Sequence, residues 1–478
     1  MAIFEEVVTM KAKKIAIYLS SIVALLSFVV IFIYIRKVGV IPNKYVFLFT
    51  IIELLLLILG FFLGSLKKIY FYIISILIFL LLTIGNSFGI YYVKHLNKFI
   101  DNSFTGEIIN TTNFYVITSV NNNVNSLDEV TIDKVINYHS NSKNIEKAID
   151  KLNDYEFVAI DSLKDYLLNN KETNTYLLIS SSSFIAYTEA DEEISEDNYK
   201  IIYEFDIVTT EKRNDEEKDV YNILILGKDF SNERDDLNML VTVNTKTRKI
   251  LITGMPRDYY IQVHGKNYGN SLTFMFEYGE EVQMKSIEEH FDTTIDYKFV
   301  LYARNLVDVV DTIGGVEFCT DVSFTTTHAQ VLTYDDSKGN KLRVTKGCHT
   351  LNGIEALTVA RERVAFNPKG DHQRQENCRQ LLINILKKIA SLSSLSNYSE
   401  ILDSLNGLYQ TTMNRNTAVR LIRSVLENND YEIIQQYVSG SQDKNPIGKE
   451  VLVTWAVVPD KEQLEAAKAK IKEILNEE

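Results

Sequence analysis

Three long apolar stretches open this chain, and they constrain it more than anything that follows. Ile15 to Ile35 holds no acidic or basic side chain. At about 1.5 Å of rise per residue it is long enough to cross a hydrocarbon layer of about 30 Å. Tyr45 to Gly64 is similar but carries Glu53, and Ile69 to Val93 is broken only by the polar pair Asn86 and Ser87. The first stretch is too long for a secretion signal, and two more follow it. An ionisable residue inside a span marks either a functional site or a protonated or interhelically bonded side chain. No second charge stands in the spans to pair with Glu53, which favours the second reading.

Lysines flank these spans unevenly. Lys11, Lys13 and Lys14 precede the first, and Lys67 and Lys68 separate the second from the third. Arg36, Lys37 and Lys44 fill the other loop. This mild bias puts residues 1–14 in the cytoplasm, residues 15–96 in the membrane region and everything beyond outside. Most of the 478 residues therefore lie outside, enough for two domains. A net charge of -13 lacks the broad basic face that a nucleic-acid partner requires.

Residues 97–209 read as a small α/β accessory domain. Phe114–Val120, Phe157–Ile160 and Tyr176–Ile179 have strand character, and Asn144–Leu152 has an apolar helical face. No catalytic motif is legible there. The charged stretch Val208–Val220 reads as a solvated linker.

Residues 210–478 form a second α/β domain. Asn222–Gly227 is an apolar strand running into Lys228 and Asp229. Met239–Val243 and Lys249–Thr253 flank a polar turn, the pattern of a hairpin. A short helix over Ser286–Phe291, a strand over Asp296–Leu301 and a helix over Asn305–Ile313 follow. Gly314 and Gly315 stop that last helix. Glu450–Val458 and Lys461–Leu475 give a final strand and helix. Cys319 ends one strand and Cys348 sits in a segment able to pair beside it. A Cys319–Cys348 disulfide is expected outside the cell, although spacing alone leaves connectivity open. Cys378 falls on an apolar helical face, as a free thiol would.

The stretch ARERVAFNPKGDHQRQEN, from Ala360, concentrates cations in an acidic chain. Cys378, Leu381, Leu382, Ile385, Leu386 and Ile389 recur at helical spacing. One turn back along the same stripe is Arg374, and three residues further back is Asp371. Arg374 is thus expected to face the core, where a guanidinium needs a carboxylate or a bound anion. Asp371 is its nearest partner and a helix cap. In an extended segment Arg361 and Arg363 share one side, with Glu362 opposite. Converging guanidinium groups suit a phosphate or pyrophosphate, and equally form surface ion pairs. Asp229 and Asp236 offer oxygens of the kind Mg²⁺ takes together with phosphate. Arg257 and Asp258 form another Arg–Asp pair at a strand end.

Together these segments resemble the LytR–CpsA–Psr family of cell-envelope glycopolymer transferases, from about Tyr221 to Leu386. The likeness rests on NILILGKD, RDDLNMLVTVNTKTRKILITGMPRD, LVDVVDTIGGVEF and LNGIEALTVARERVAFNPKGDHQRQEN, in this order. The several spans and the accessory domain look like its CpsA-type, capsule-associated branch. The resemblance implies a core that is an α/β/α sandwich with an apolar pocket for a polyprenyl chain. It implies an enzyme on the outer face of the cell membrane, of the kind found in Gram-positive bacteria. Such an enzyme takes capsular polysaccharide or teichoic acid from a polyprenyl-pyrophosphate carrier and attaches it to peptidoglycan through a phosphodiester. Partners implied are that donor, peptidoglycan, the membrane and wall-polymer assembly proteins. Carried over, Arg257, Arg361, Arg363 and Arg374 would bind pyrophosphate. Asp229 and Asp236 would hold Mg²⁺ or Mn²⁺, and Arg234, Asp258, Asp371 and Asn377 would support them. Asp371 or Asp258 would accept the acceptor proton. Ser271 stands where relatives often carry lysine, with Lys266 the nearest substitute. A non-catalytic polyprenyl-phosphate sensor and a polyprenyl-pyrophosphate hydrolase are the competing readings.

Overall fold

The computed structural model describes residues 2–66, 68–131, 134–139, 142–190, 193–212, 216, 218–228, 234–302, 305–330, 339–366, 370–391, 398–405, 407–427, 431–443 and 456–477. Contacts divide the chain into two compact units. The first contains residues 1–105, 393–406 and 414–431, and the second contains the rest.

The first unit is built on α1 (Ala2–Val38), α2 (Asn43–Ser65) and α3 (Ile69–Ser103). All three are long and apolar enough to cross a membrane. α1 runs well past its apolar stretch on the N-terminal side, where Glu5, Glu6, Lys11, Ala12, Lys13 and Lys14 are good helix formers. Large side chains face outward, among them Phe47 at 69 % and Leu81 at 66 % exposure. In water such a surface would be a liability, whereas lipid accepts it. Polar groups turn inward and are bonded between helices, as a membrane interior demands. Ser75 Oγ donates to the Gly60 carbonyl at 2.7 Å, and Asn86 Nδ2 donates to Ser27 Oγ at 3.1 Å. Buried Glu53 also meets Asn86, the interhelical bonding expected of it. The helices Tyr398–Ser404 and Arg415–Glu427 belong to this unit. Arg415 Nε pairs with Asp101 at 2.6 Å, and Lys44 Nζ donates to the Glu427 carbonyl at 2.6 Å.

The second unit carries two principal sheets. The accessory sheet comprises β1 (Glu107–Ser119), β2 (Val135–Tyr138), β3 (Glu156–Ala159), β4 (Tyr176–Ser180) and β5 (Tyr199–Lys212), ordered β3-β2-β4-β1-β5. Helices α4 (Lys143–Lys151), α5 (Leu163–Asn169) and α6 (Ser181–Ala190) connect its strands. β5 pairs with β1 as far as Glu107↔Lys212. Val208–Lys212 is therefore strand, not linker. Exposed polar side chains on this ribbon hide its continuous pairing with β1.

The core sheet has six strands. They are β6 (Val220–Lys228), β7 (Asp235–Asn244), β8 (Lys249–Met255), β9 (Tyr297–Tyr302), β10 (Tyr409–Thr411) and β11 (Glu432–Tyr437), ordered β10-β9-β6-β7-β8-β11. The expected β7–β8 hairpin is present, and Asn244 Oδ1 closes its turn by accepting from the amides of Lys246 and Thr247. On one face lie α7 (Glu280–Phe291) and the terminal helix Lys461–Asn476. Leu224, Leu240 and Leu251 of the sheet meet Ile287 and Ile471 there. α7 begins at Glu280 instead of Ser286, because Glu280 and Glu281 suit the positive end of the helix dipole. Over the other face runs α9 (Gly370–Ser391), preceded by α8 (Gly353–Arg361). The unit is thus an α/β/α sandwich beside an accessory α/β layer. Cys319 and Cys348 stand opposite each other on paired strands and form the expected disulfide. Cys378 is outside the disulfide, and its thiol donates to the Ala360 carbonyl.

Candidate active site

The start of β7 sets two carboxylates side by side, and strand alternation sends them in opposite directions. Asp235 is fully buried and pairs with Lys228 Nζ at 2.9 Å. Gln283 Nε2 donates to its other oxygen at 2.7 Å. Asp236 instead meets arginines. Its Oδ1 accepts from Arg257 Nη1 at 2.9 Å, and its Oδ2 lies 3.8 Å from Arg374 Nη1. Arg374 Nη2 also donates to the Asp236 carbonyl at 2.8 Å. Burial pushes the Asp236 carboxyl up, but Arg374 and Arg257 outweigh it and hold the group below the usual range. Arg234 adds to the same positive field.

Three elements thus converge: the beginning of β7, the end of β8 and the first turns of α9. Arg374 is only 4 % exposed, as its helical phase requires. Arg257 leaves β8 just after Pro256, and its Nε donates to Asp258 at 3.3 Å. Asp258 is itself buried, and its carbonyl accepts from Ser271 Oγ at 3.3 Å. Ser271 is fully buried, while Lys266 is exposed on a turn.

The remaining arginines need one correction. Arg361 does not stand in an extended segment; it is the last residue of α8. The capping box at Asn352 and Glu355 starts that helix, and it propagates as far as Arg361. Glu362 points inward. It is fully buried and accepts from the amides of Thr327 and Ala365. Arg363 beside it is exposed. Asp229 and the side chain of Asp371 lie outside the described residues, so the partner of Arg374 on view is Asp236. Asn377 is buried, accepts from Gln373 at 3.0 Å and keeps its Nδ2 without a hydrogen bond. Gln380 binds both the amide and the carbonyl of Cys319, fixing α9 to the disulfide-bearing strand.

Beside Arg374 the sheet and α9 enclose a cavity of about 270 Å³. Leu237, Met239, Gly254 and Tyr437 supply the sheet side. An added Cβ on Gly254 would lie 2.9 Å from the Tyr437 ring, so only glycine leaves that floor open.

Sequence reasoning missed Asp235, Lys228, Glu280, Lys298 and Glu211. Lys298 is 1 % exposed and pairs with both Glu211 and Glu280. The one available signal was a lysine in the middle of an apolar strand.

Residues 177–473 match the model of the LytR_cpsA_psr family. The chain belongs to the LytR–CpsA–Psr family. Among its curated relatives is the polyisoprenyl-teichoic acid–peptidoglycan teichoic acid transferase TagU of Bacillus mycoides, 30 % identical over 196 residues. That match covers 40 % of this chain and 60 % of the relative. The TagU protein of Bacillus subtilis is 28 % identical over 200 residues, covering 41 % and 61 %. The chain thus spans about three fifths of the length of these LytR–CpsA–Psr relatives. Among solved structures, Bacillus subtilis TagU aligns with a TM-score of 0.41 at 25 % identity, over 55 % of this chain and 99 % of that one. A Streptococcus agalactiae protein aligns with a TM-score of 0.45 at 25 % identity, over 54 % and 89 %.

Proposed function

We propose that this protein is a membrane-anchored phosphotransferase, active on the outer face of the cell membrane. It moves a glycopolymer from a polyprenyl-pyrophosphate carrier to peptidoglycan. The observation that carries this reading is the Arg257–Asp236–Arg374 cluster where β7 begins and β8 ends, near a cavity with an apolar floor. The teichoic acid transferases among its relatives lend the substrate class, with teichoic acid or capsular polysaccharide as the polymer.

Each residue has a definable task. Arg257 and Arg374 bind the pyrophosphate, where paired N–H donors match phosphate oxygens. Asp236 holds both guanidinium groups in place before substrate arrives, so little reorganisation is needed when charge shifts. Asp258 orients Arg257 through its Nε. Arg361 and Arg363 approach the outer phosphate from the end of α8. The first isoprene units lie on the cavity's apolar floor of Leu237, Met239 and Tyr437, below the polar side chains of α9. A peptidoglycan hydroxyl oxygen attacks the phosphorus attached to the sugar polymer. The bond from that phosphorus to the bridging oxygen breaks, polyprenyl phosphate leaves, and an aspartate, Asp371 or Asp258, takes the hydroxyl proton.

A divalent ion fits this arrangement in one way. No group of three acidic, His or Cys side chains gathers among the described residues, so a cage of protein ligands is not on view. Asp236 stays ionised and 33 % exposed, and Mg²⁺ commonly takes one or two carboxylates plus substrate phosphates. Asp236 with Asp229 would hold Mg²⁺, which when bound neutralises further phosphate charge.

The test is full-length protein in lipid nanodiscs with a polyprenyl-pyrophosphate-linked donor and peptidoglycan oligomers. A polymer–peptidoglycan phosphodiester, seen by mass spectrometry, is the expected product. Donor bound but unconverted would point to a sensor. Release of free phosphorylated polymer, with no coupling, would point to a hydrolase.

A further inference from the structure

A second cavity lies away from the arginine cluster, where the accessory sheet meets the core. Its volume is about 650 Å³, within the usual range for small-molecule sites. One wall is neutral and rich in hydroxyls. The serine run Ser180–Ser183 lies there, where β4 passes directly into the first turn of the ten-residue helix α6. Ser180 Oγ accepts from the Ser183 amide and donates to Ser183 Oγ at 2.8 Å. Asn144 on the same side donates to Thr112 Oγ1 at 3.0 Å. The facing wall carries Phe276, Glu277 and Tyr302.

Two features limit what such a cavity can hold. Its lysine and one of its glutamates are already neutralised: Lys228 by Asp235, and Glu280 by Lys298. A strongly charged ligand would find little free counter-charge among them. The other glutamate, Glu277, is different. It is 8 % exposed, and its Oε1 is buried without a hydrogen bond. A buried polar group left so is costly and calls for an explanation. Burial pushes its carboxyl up to about 8, so at neutral pH it is largely protonated and able to donate.

We propose that this cavity is a binding site for an uncharged saccharide of one or two rings. The serine run and Glu277 would meet its hydroxyl groups, and the Phe276 and Tyr302 rings its apolar face. The hydroxyl-rich wall and the neutralised charges both fit this ligand class. The inference does not depend on the transfer reaction proposed above.

The experiment is calorimetric titration of the full-length protein in nanodiscs, free of sugar-based detergent. The probes are N-acetylglucosamine, glucose, galactose and rhamnose. At least one should bind saturably, and Glu277→Leu and Ser182→Phe should each weaken it about tenfold, the loss of roughly one hydrogen bond or of the space itself. Glu277→Leu should also melt no lower than the parent, since it removes an unsatisfied buried carboxyl, which separates lost binding from lost folding. Absence of binding by all four sugars up to about 50 mM, or unchanged affinity in both variants, would overturn the proposal.

Discussion

Replacing Lys298 by methionine tests a deeply buried charge in the second unit. Lys298 is 1 % exposed, and its ammonium lies 2.5 Å from Glu211 and against Glu280. Methionine keeps the length of the side chain and removes the charge, leaving two carboxylates facing each other. Breaking a buried ion pair from one side costs about 3–5 kcal/mol. The carboxylates keep 16 % and 25 % of their surface, so solvent relieves part of the repulsion and the lower end, about 3 kcal/mol, applies. In a unit of this size that corresponds to a drop of roughly 4 °C in the unfolding temperature. Scanning calorimetry of the full-length protein in nanodiscs would resolve it. Because Glu211 belongs to the accessory strand β5, hydrogen exchange should also quicken along β5. A variant melting within about 1 °C of the parent, with β5 exchange unchanged, would refute the claim that this triad ties accessory layer to core.

Three further outcomes follow from the same structure. Burial raises the Glu280 carboxyl, but Lys298 and Lys228 outweigh it and hold it down at about 2, so its ionised form favours the folded state. That stability is complete above the group's ordinary value of 4.5 and is lost as pH falls towards about 2. Denaturant midpoints measured from about pH 6 to about pH 3 should fall less steeply in Glu280→Gln than in the parent. An alanine Cβ at position 353 would lie 2.3 Å from the Val307 carbonyl oxygen, so Gly353→Ala should cost about 1–3 kcal/mol in a chemical unfolding measurement. Joint replacement of Cys319 and Cys348 by serine opens a loop spanning 29 positions and should lower stability by about 2–4 kcal/mol in a chemical unfolding measurement.

Much of this architecture was legible because local pattern decides it. Uninterrupted apolar runs announced the spans, and the polar turn at Asn244 announced the β7–β8 hairpin. Helical phase alone turns Arg374 inward, and Cys319 at a strand end beside a segment holding Cys348 makes the disulfide an expectation, with connectivity left open. What stayed hidden depends on distant partners. Lys298 and Glu211 are charged residues that composition assigns to solvent, and only the packing of β5 near β9 buries them together. The charged run from Val208 concealed strand pairing for a similar reason, since an exposed ribbon has no apolar alternation to read. Asp235 and Asp236 could have been separated by strand alternation. The apolar pattern begins only at Met239, however, and so leaves both aspartates in a loop. The two helices between Tyr398 and Glu427 join the membrane unit through contacts such as Arg415 with Asp101, and no local signal forecasts that.

The central claim is that Arg257 and Arg374, aligned by Asp236, grip a lipid-linked pyrophosphate. Its most direct test is the affinity of full-length protein for polyprenyl pyrophosphate, compared among the parent, Arg257→Met and Arg374→Met. A charge-assisted hydrogen bond contributes about 1.5–3 kcal/mol, so each substitution should weaken binding by roughly ten- to a hundredfold. Affinities within about twofold of the parent for both variants would contradict the assignment and leave the cluster as a structural ion network.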